Sequence, residues 1–137
     1  MAYNLQRFKD AQTYDYEQAL SELRAGRKTS HWIWYIFPQL RELGRSRMAR
    51  YYGIAGMGEA EAYYADELLR GRLVEISQAL LALDENDPIR VLGSIDAMKV
   101  RSCMTLFSQV RGTDPVFTAV LAKYYNGKLD SRTLELL

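Results

Sequence analysis

Trp32-Ile33-Trp34-Tyr35-Ile36-Phe37 places six large apolar side chains in succession, and a fold of this chain has to take them out of water. The run is too short to cross a bilayer and too apolar for the surface of a soluble monomer. It is buried, or it lines a pocket or an interface. Ser30 and His31, the only histidine, precede it, and Pro38-Gln39-Leu40 follow it. One imidazole and one amide therefore stand at the two ends of an aromatic wall that holds both tryptophans.

The backbone of the block is open to two readings. Its alternate residues are all bulky, which suits a buried strand. The position before Pro38 disfavours the α region, so Phe37 ends any helix there. No other stretch offers a partner strand, and an isolated strand leaves its backbone groups unpaired. The block is thus a helical turn or a buried extended segment in an all-α protein.

The remaining chain is helical in period almost throughout. Leu5, Phe8 and Ala11 sit three apart, with Asn4 as the cap of a short first helix. Asp15 with Gln18 reads as a capping box that opens a second helix, ended by Gly26. Ser46 caps a helix through Tyr52, and Glu59 to Tyr64 form another. Leu69, Leu73, Ile76, Leu80 and Leu83 recur at four and three residues, the clearest amphipathic pattern in the chain. Asp87-Pro88 starts a short helix. Ser94 or Asp96 opens one that runs to about Val110. Asp114-Pro115 begins the next, with Phe117, Val120, Leu121 and Tyr124 inward and Gly127 as terminator, and Asp130 or Ser131 caps a last turn. The sum is a compact orthogonal array of seven to nine mostly short helices, one domain over residues 1–137.

Charge and cysteine usage narrow the setting. Lysine plus arginine number 18 against 17 aspartate plus glutamate, a net charge of +1 that gives no reason to expect nucleic acid or an anionic membrane. Cys103 is the single cysteine, so no internal disulfide forms and a reducing compartment is expected. Met1 to Asp10 lacks the charged-then-apolar order of a signal peptide. The expected location is the cytoplasm. Nothing in the chain sets an oligomeric state.

One histidine and one cysteine do not make a typical transition-metal site, no loop has the calcium-binding pattern, and no cofactor is called for. Gly53-Ile54-Ala55-Gly56-Met57-Gly58 is glycine-rich and could turn its amides to a phosphate; without a preceding strand or a following lysine, a flexible turn is the ordinary alternative. Two groups of side chains are the candidates for chemistry. His31 can act as general acid or base or bind a ligand, with Trp32 or Trp34 stacking on a planar ring and Gln39 holding its edge; the alternative is a satisfied histidine beside a core cluster. Asp96, Lys99 and Ser102 recur at three-residue spacing on one helix face, where they can bind a polar substrate or prepare a nucleophile; the alternative is an ordinary ion pair. Cys103 lies on the adjoining apolar stripe and reads as a small core residue.

These residues carry a resemblance. Leu5-Gln6-Arg7-Phe8, Tyr16-Glu17-Gln18-Ala19-Leu20, Gly26-Arg27-Lys28 and Ser30-His31-Trp32-Ile33-Trp34 come first, followed by Phe37-Pro38-Gln39-Leu40, Tyr52-Gly53-Ile54 and Asp96-x-x-Lys99-x-x-Ser102-x-Met104-Thr105-Leu106-Phe107. In that order they resemble the bacterial domain-of-unknown-function family eighteen-ten, whose members are sometimes labelled calpastatin. The resemblance implies a compact, mainly α domain and no established activity. Calpain inhibitors act through disordered repeats, which this chain does not have. A fainter likeness, in a late helix with a lysine and a methionine, is to helical domains that process ADP-ribose and related nucleotides.

Two functions follow as expectations. In the first the chain is a small enzyme or binding domain for a planar, nucleotide-like metabolite of the ADP-ribose kind, with His31, Asp96 and Lys99 catalytic and Trp32, Trp34, Gln39 and Ser102 binding; the two groups then converge on one pocket. In the second it is a non-enzymatic interaction module, with the aromatic block as core and the tyrosine pairs and the Arg41–Arg50 stretch facing a partner.

Overall fold

The structure, a computed structural model, describes residues 3–137. Met1 and Ala2, the first residues of the stretch read above for a signal peptide, lie outside the described residues. The described chain is all-α. Its helices are α1 (Gln6–Arg24), α2 (Ile33–Ile36), α3 (Arg47–Tyr51), α4 (Met57–Ala65), α5 (Glu67–Leu81), α6 (Pro88–Leu92), α7 (Ser94–Ser108), α8 (Val116–Tyr125) and α9 (Ser131–Leu136), with a 3-10 turn at Arg41–Leu43. The only strand-like pairing among the described residues is a parallel bridge between Leu40 and Ile54.

Local chemistry explains most of the boundaries. Ser46 accepts from the Ala49 amide, Asp66 from Leu68 and Leu69, Asp87 from Ile89 and Asp130 from Thr133, so four helices begin on a side-chain cap. Leu69, Leu73, Ile76 and Leu80 are all buried along α5. Its period predicts the helix well because these four large side chains, with the small Ser77 and Ala79, make the buried stripe.

Helix α1 departs from the expectation. It is one helix of 19 residues, not two, and neither Asn4 nor Asp15 caps it. Asp15 lies inside the helix, where its carboxylate accepts the Tyr35 hydroxyl from the aromatic block. A tertiary partner thus uses the side chain that a capping box would need. Gly26 does end the helix: at φ +87° it lets its own amide reach Leu23 and that of Arg27 reach Glu22.

The aromatic block takes both of its possible forms in turn. Ile33 to Ile36 make one helical turn, Phe37 leaves it, and Leu40 pairs with Ile54 in extended conformation. Trp32, Ile33, Ile36 and Phe37 are at most 2% exposed. They join a core in which Phe8, Tyr63, Phe107 and Phe117 meet ring to ring at 5.0, 5.2 and 6.0 Å. Each such buried side chain contributes about 1.5–3 kcal/mol.

Two buried carboxylates organise the polar connections. Glu22 accepts from the Thr29 amide (2.8 Å), the Ser30 amide (3.0 Å) and hydroxyl (2.5 Å), the Trp32 indole (3.0 Å) and Gln18 (2.9 Å). It fixes the loop that leads into the aromatic block. Glu59 pairs with Arg7 at 2.9 Å and accepts from the Ala55 amide at 2.7 Å. Arg7 continues to the Tyr51 and Gly53 carbonyls. The start of α4 therefore already holds a carboxylate of its own, and the glycine-rich turn is not an open phosphate cradle. Gly53 is there for packing, since a Cβ would stand 2.4 Å from the Arg41 Cα.

Candidate functional site

Helix α7 turns one stripe to the core and another outward. Val100, Cys103, Met104 and Phe107 are fully buried. Ile95, Met98, Lys99 and Ser102, spaced i, i+3, i+4 and i+7, form the other stripe, which is exposed at Ile95 and Met98 and buried at Ser102. Ile95 and Met98 are 69% and 72% exposed, unusual for large apolar side chains. Two other segments flank the stripe, Gln39 with Leu43 on one side and Asp130 with Arg132 on the other. The three enclose an open groove of about 300 Å³.

The walls are fixed through their backbones. Gln39 precedes the Leu40–Ile54 bridge, and its carbonyl accepts from the Ile54 amide at 2.9 Å. The segment before α9 is tied to α7 by Arg101, which donates to the Lys128 and Leu129 carbonyls at 2.8 and 2.9 Å. Thr105 accepts from the Asp130 amide at 2.8 Å. Such anchoring lets a binding groove keep its shape without a ligand.

The polar groups in the groove divide into committed and free. Asp130 Oδ2 accepts from the Thr133 amide and hydroxyl and from Ser102, whose hydroxyl also faces the Met98 carbonyl. These two residues cap and dock α9. Ser102 has no imidazole or amine partner among the described residues, so it is a wall and not an activated nucleophile. The Gln39 amide, the Lys99 ammonium and the Arg132 guanidinium make no hydrogen bond or ion pair among the described residues. Lys99 lies 5.7 Å from the ring centroid of half-buried Trp34.

The structure brings together four of the seven residues singled out from the sequence. Gln39, Lys99 and Ser102 line the groove and Trp34 borders it through Lys99. The other three stand apart. Trp32 is fully buried with its indole N–H on Glu22, which leaves it no face for a ligand. Asp96 pairs with Lys28 at 2.8 Å, and the Lys28 ammonium also lies 4.7 Å from the Trp32 ring. His31 is exposed and outside the groove lining. Cys103 is buried, and burial pushes its thiol well above the usual range, where the thiolate is not formed.

Ile95, Met98, Leu43, Asp130 and Arg132 were not identified as site residues from the sequence, where Asp130 is read only as a helix cap. For the first two a signal existed: both lie off the Val100–Phe107 stripe, on the face of α7 that a simple amphipathic helix makes polar. Asp130 and Arg132 gave none, because their nearness to α7 arises from the return of the chain after α8. Among the described residues no cluster of three or more histidine, cysteine, aspartate or glutamate side chains is placed to hold a metal ion. No described helix is long and apolar enough to cross a membrane.

Comparison with known proteins gives a family and a fold. Residues 2–137 match the model of a family described as protein of unknown function, DUF1810. The chain is similar to a solved crystal structure of a conserved hypothetical protein, Rv1873, from Mycobacterium tuberculosis. Identity is 43%, the match covers 98% of this chain and 96% of that one, and the TM-score is 0.96. No curated protein matches the chain.

Proposed function

This chain belongs to the DUF1810 family, and from that premise we propose that it is a small binding domain for a planar, anionic, nucleotide-like metabolite, held in the groove between α7, the Gln39–Leu43 segment and the start of α9. One observation carries the reading. Three side chains with no hydrogen-bond or ion-pair partner among the described residues, Gln39, Lys99 and Arg132, line a groove whose other walls are the apolar Leu43, Ile95 and Met98 and the mutually bonded Ser102 and Asp130. Unpaired polar groups over apolar walls are the usual make-up of a ligand pocket. The amide of Gln39 offers a donor and an acceptor to the edge of a ring, Lys99 and Arg132 take a phosphate or carboxylate, and Ile95 and Met98 pack on its plane. The reading is one of binding. Ser102 is committed to Asp130, and His31 and Asp96 lie outside the groove, so no nucleophile or acid–base pair faces the ligand.

A thermal-shift panel of nucleoside mono- and diphosphates tests it. A ligand at 100 times its dissociation constant adds about 2.7 kcal/mol to stability. The shift is expected to disappear in Lys99→Ala and Arg132→Ala and to survive in His31→Ala. Trp34 fluorescence should change with binding as Lys99 leaves its ring. No shift across the panel, or a shift kept in both lysine and arginine variants, overturns the reading.

A second reading, a protein-interaction module with the aromatic block as core, is favoured by a different observation, the exposure of Tyr51 and of the arginines of residues 41–50; the other paired tyrosines do not take part, since Tyr63 and Tyr124 are buried and Tyr52, Tyr64 and Tyr125 half-buried.

A further inference from the structure

We propose that the segment from Arg41 to Tyr51 is a docking surface for an acidic segment of a partner protein; this gives the interaction reading a specific surface, which shares Leu43 with the groove but uses none of its unpaired polar groups.

The charge is local. Arg41, Arg45, Arg47 and Arg50 are all exposed, and none makes an ion pair among the described residues. Glu42 is the only acidic residue in the stretch, whereas the chain as a whole carries +1. A run of unpaired arginines on a nearly neutral protein selects a partner by complementarity at that place and not by bulk attraction.

The surface has an apolar component and a fixed shape. Arg47, Arg50 and Tyr51, at i, i+3 and i+4, share the outer face of α3, and Ala49 turns inward. Met48 and Tyr51 are 38% and 55% exposed among the arginines. Arginine and tyrosine are the residue types that most often dominate interface energetics. The Leu40–Ile54 bridge holds one end of the segment and Arg7 holds the other at the Tyr51 carbonyl. Between them Gly44 packs on Ala49, where a Cβ would stand 2.7 Å from the alanine methyl. A pre-shaped surface loses little entropy on binding.

A protein fits these features better than a nucleic acid. Four cations allow few phosphate contacts, and non-specific nucleic-acid binding grows with the number of phosphates neutralised. Met48 and Tyr51 instead suit apolar side chains set between carboxylates.

Fluorescence anisotropy with a short labelled peptide of alternating glutamate and leucine tests the proposal, with a labelled single-stranded oligonucleotide as the competing class. The variant is Arg45→Glu with Arg47→Glu; both side chains are exposed and neither makes an ion pair among the described residues, and a carboxylate at the first position of α3 suits the helix dipole. The peptide is expected to bind the wild type, to weaken with salt, and to lose about tenfold or more in affinity to the charge-reversed variant at an unchanged melting temperature. Lys99→Ala should bind the peptide as wild type does, and the charge-reversed variant should keep any nucleotide-induced thermal shift, so failure of this proposal and failure of the groove reading show separately. Absence of peptide binding, equal binding by the variant, or tighter binding of the oligonucleotide overturns it.

Discussion

The Lys28 ammonium meets the Asp96 carboxylate at 2.8 Å, and this contact joins the loop after α1 to the first turn of α7. The Lys28 side chain is only 6% exposed and that of Asp96 19%. The ammonium also reaches the Ser30 carbonyl and the Trp32 ring. Asp96 is therefore part of the support beneath the aromatic block, and Lys99, one turn along the helix, is left without an anionic partner.

Removing that carboxylate should act on stability and not on binding. Asp96→Asn leaves a largely buried ammonium without its counter-charge, at a cost of about 1–3 kcal/mol. Denaturant unfolding measures the loss. Affinity for a groove ligand, measured well below the melting temperature, is expected to match wild type. A variant of unchanged stability that no longer binds would return Asp96 to the site.

Glu22 gives the fold an acid limit. Burial on its own would raise the pKa of this carboxyl. Hydrogen bonds from the Ser30 hydroxyl, Gln18 and the Thr29 and Ser30 amides outweigh it and hold the group far below its ordinary value of 4.5. A carboxyl depressed in the folded state contributes stability that is complete above the unfolded pKa and is lost as pH falls below it. Stability should accordingly decline on acidification from about pH 4.5 downward. Asp66, whose pKa Lys9 and the α5 amides also lower, adds to the slope. Glu22→Gln should cost about 2–4 kcal/mol at neutral pH, because an amide turns N–H groups toward donors, and the loss of stability with acid should be shallower. Unfolding curves of both proteins at stepped pH decide it: parallel acid profiles would mean that Glu22 is not the group responsible.

These two carboxylates show where the sequence could be read and where it could not. Helix α5 was legible because a single buried stripe, Leu69 to Leu80, defines it. The starts of α3, α6 and α9 were legible because Ser46, Asp87 and Asp130 are bound to amides two or three residues ahead. Asp15 misled for the same reason in reverse, since its partner Tyr35 is distant in sequence and local pattern takes no account of it. The site divides in the same way. Lys99 and Ser102 were found from their spacing on one helix, and Gln39 from its place at the end of the aromatic block. Trp32 reads as a ligand-stacking ring because nothing local reveals that Glu22, ten positions earlier, holds its indole. Helical spacing groups Asp96 with Lys99 in the site, whereas the fold gives Asp96 to Lys28.

Two glycines should respond to the same substitution with opposite sign. Gly71 lies in the interior of α5, and a Cβ added there meets nothing within 4 Å. Alanine removes backbone freedom from the unfolded chain and improves helix propensity, so Gly71→Ala should stabilise by about 0.5–1 kcal/mol. Gly53 sits where the strand-like bridge crosses the end of α3, and its added Cβ would stand 2.4 Å from the Arg41 Cα and 2.9 Å from the Ala49 carbonyl oxygen. Both neighbours are backbone atoms and cannot rotate away. Gly53→Ala must push Arg41 outward, strain the Leu40–Ile54 bridge and loosen the carbonyl that Arg7 holds at 3.0 Å. A loss of about 2–4 kcal/mol is expected. The same displacement would move Gln39 and Leu43, which flank Arg41 and line the groove. Gly53→Ala should therefore weaken groove binding as well as stability, and Gly71→Ala should leave binding unchanged. Melting temperatures and ligand titrations of the pair measure both effects, and a Gly53→Ala protein as stable as wild type would show that the bridge does not hold the groove in place.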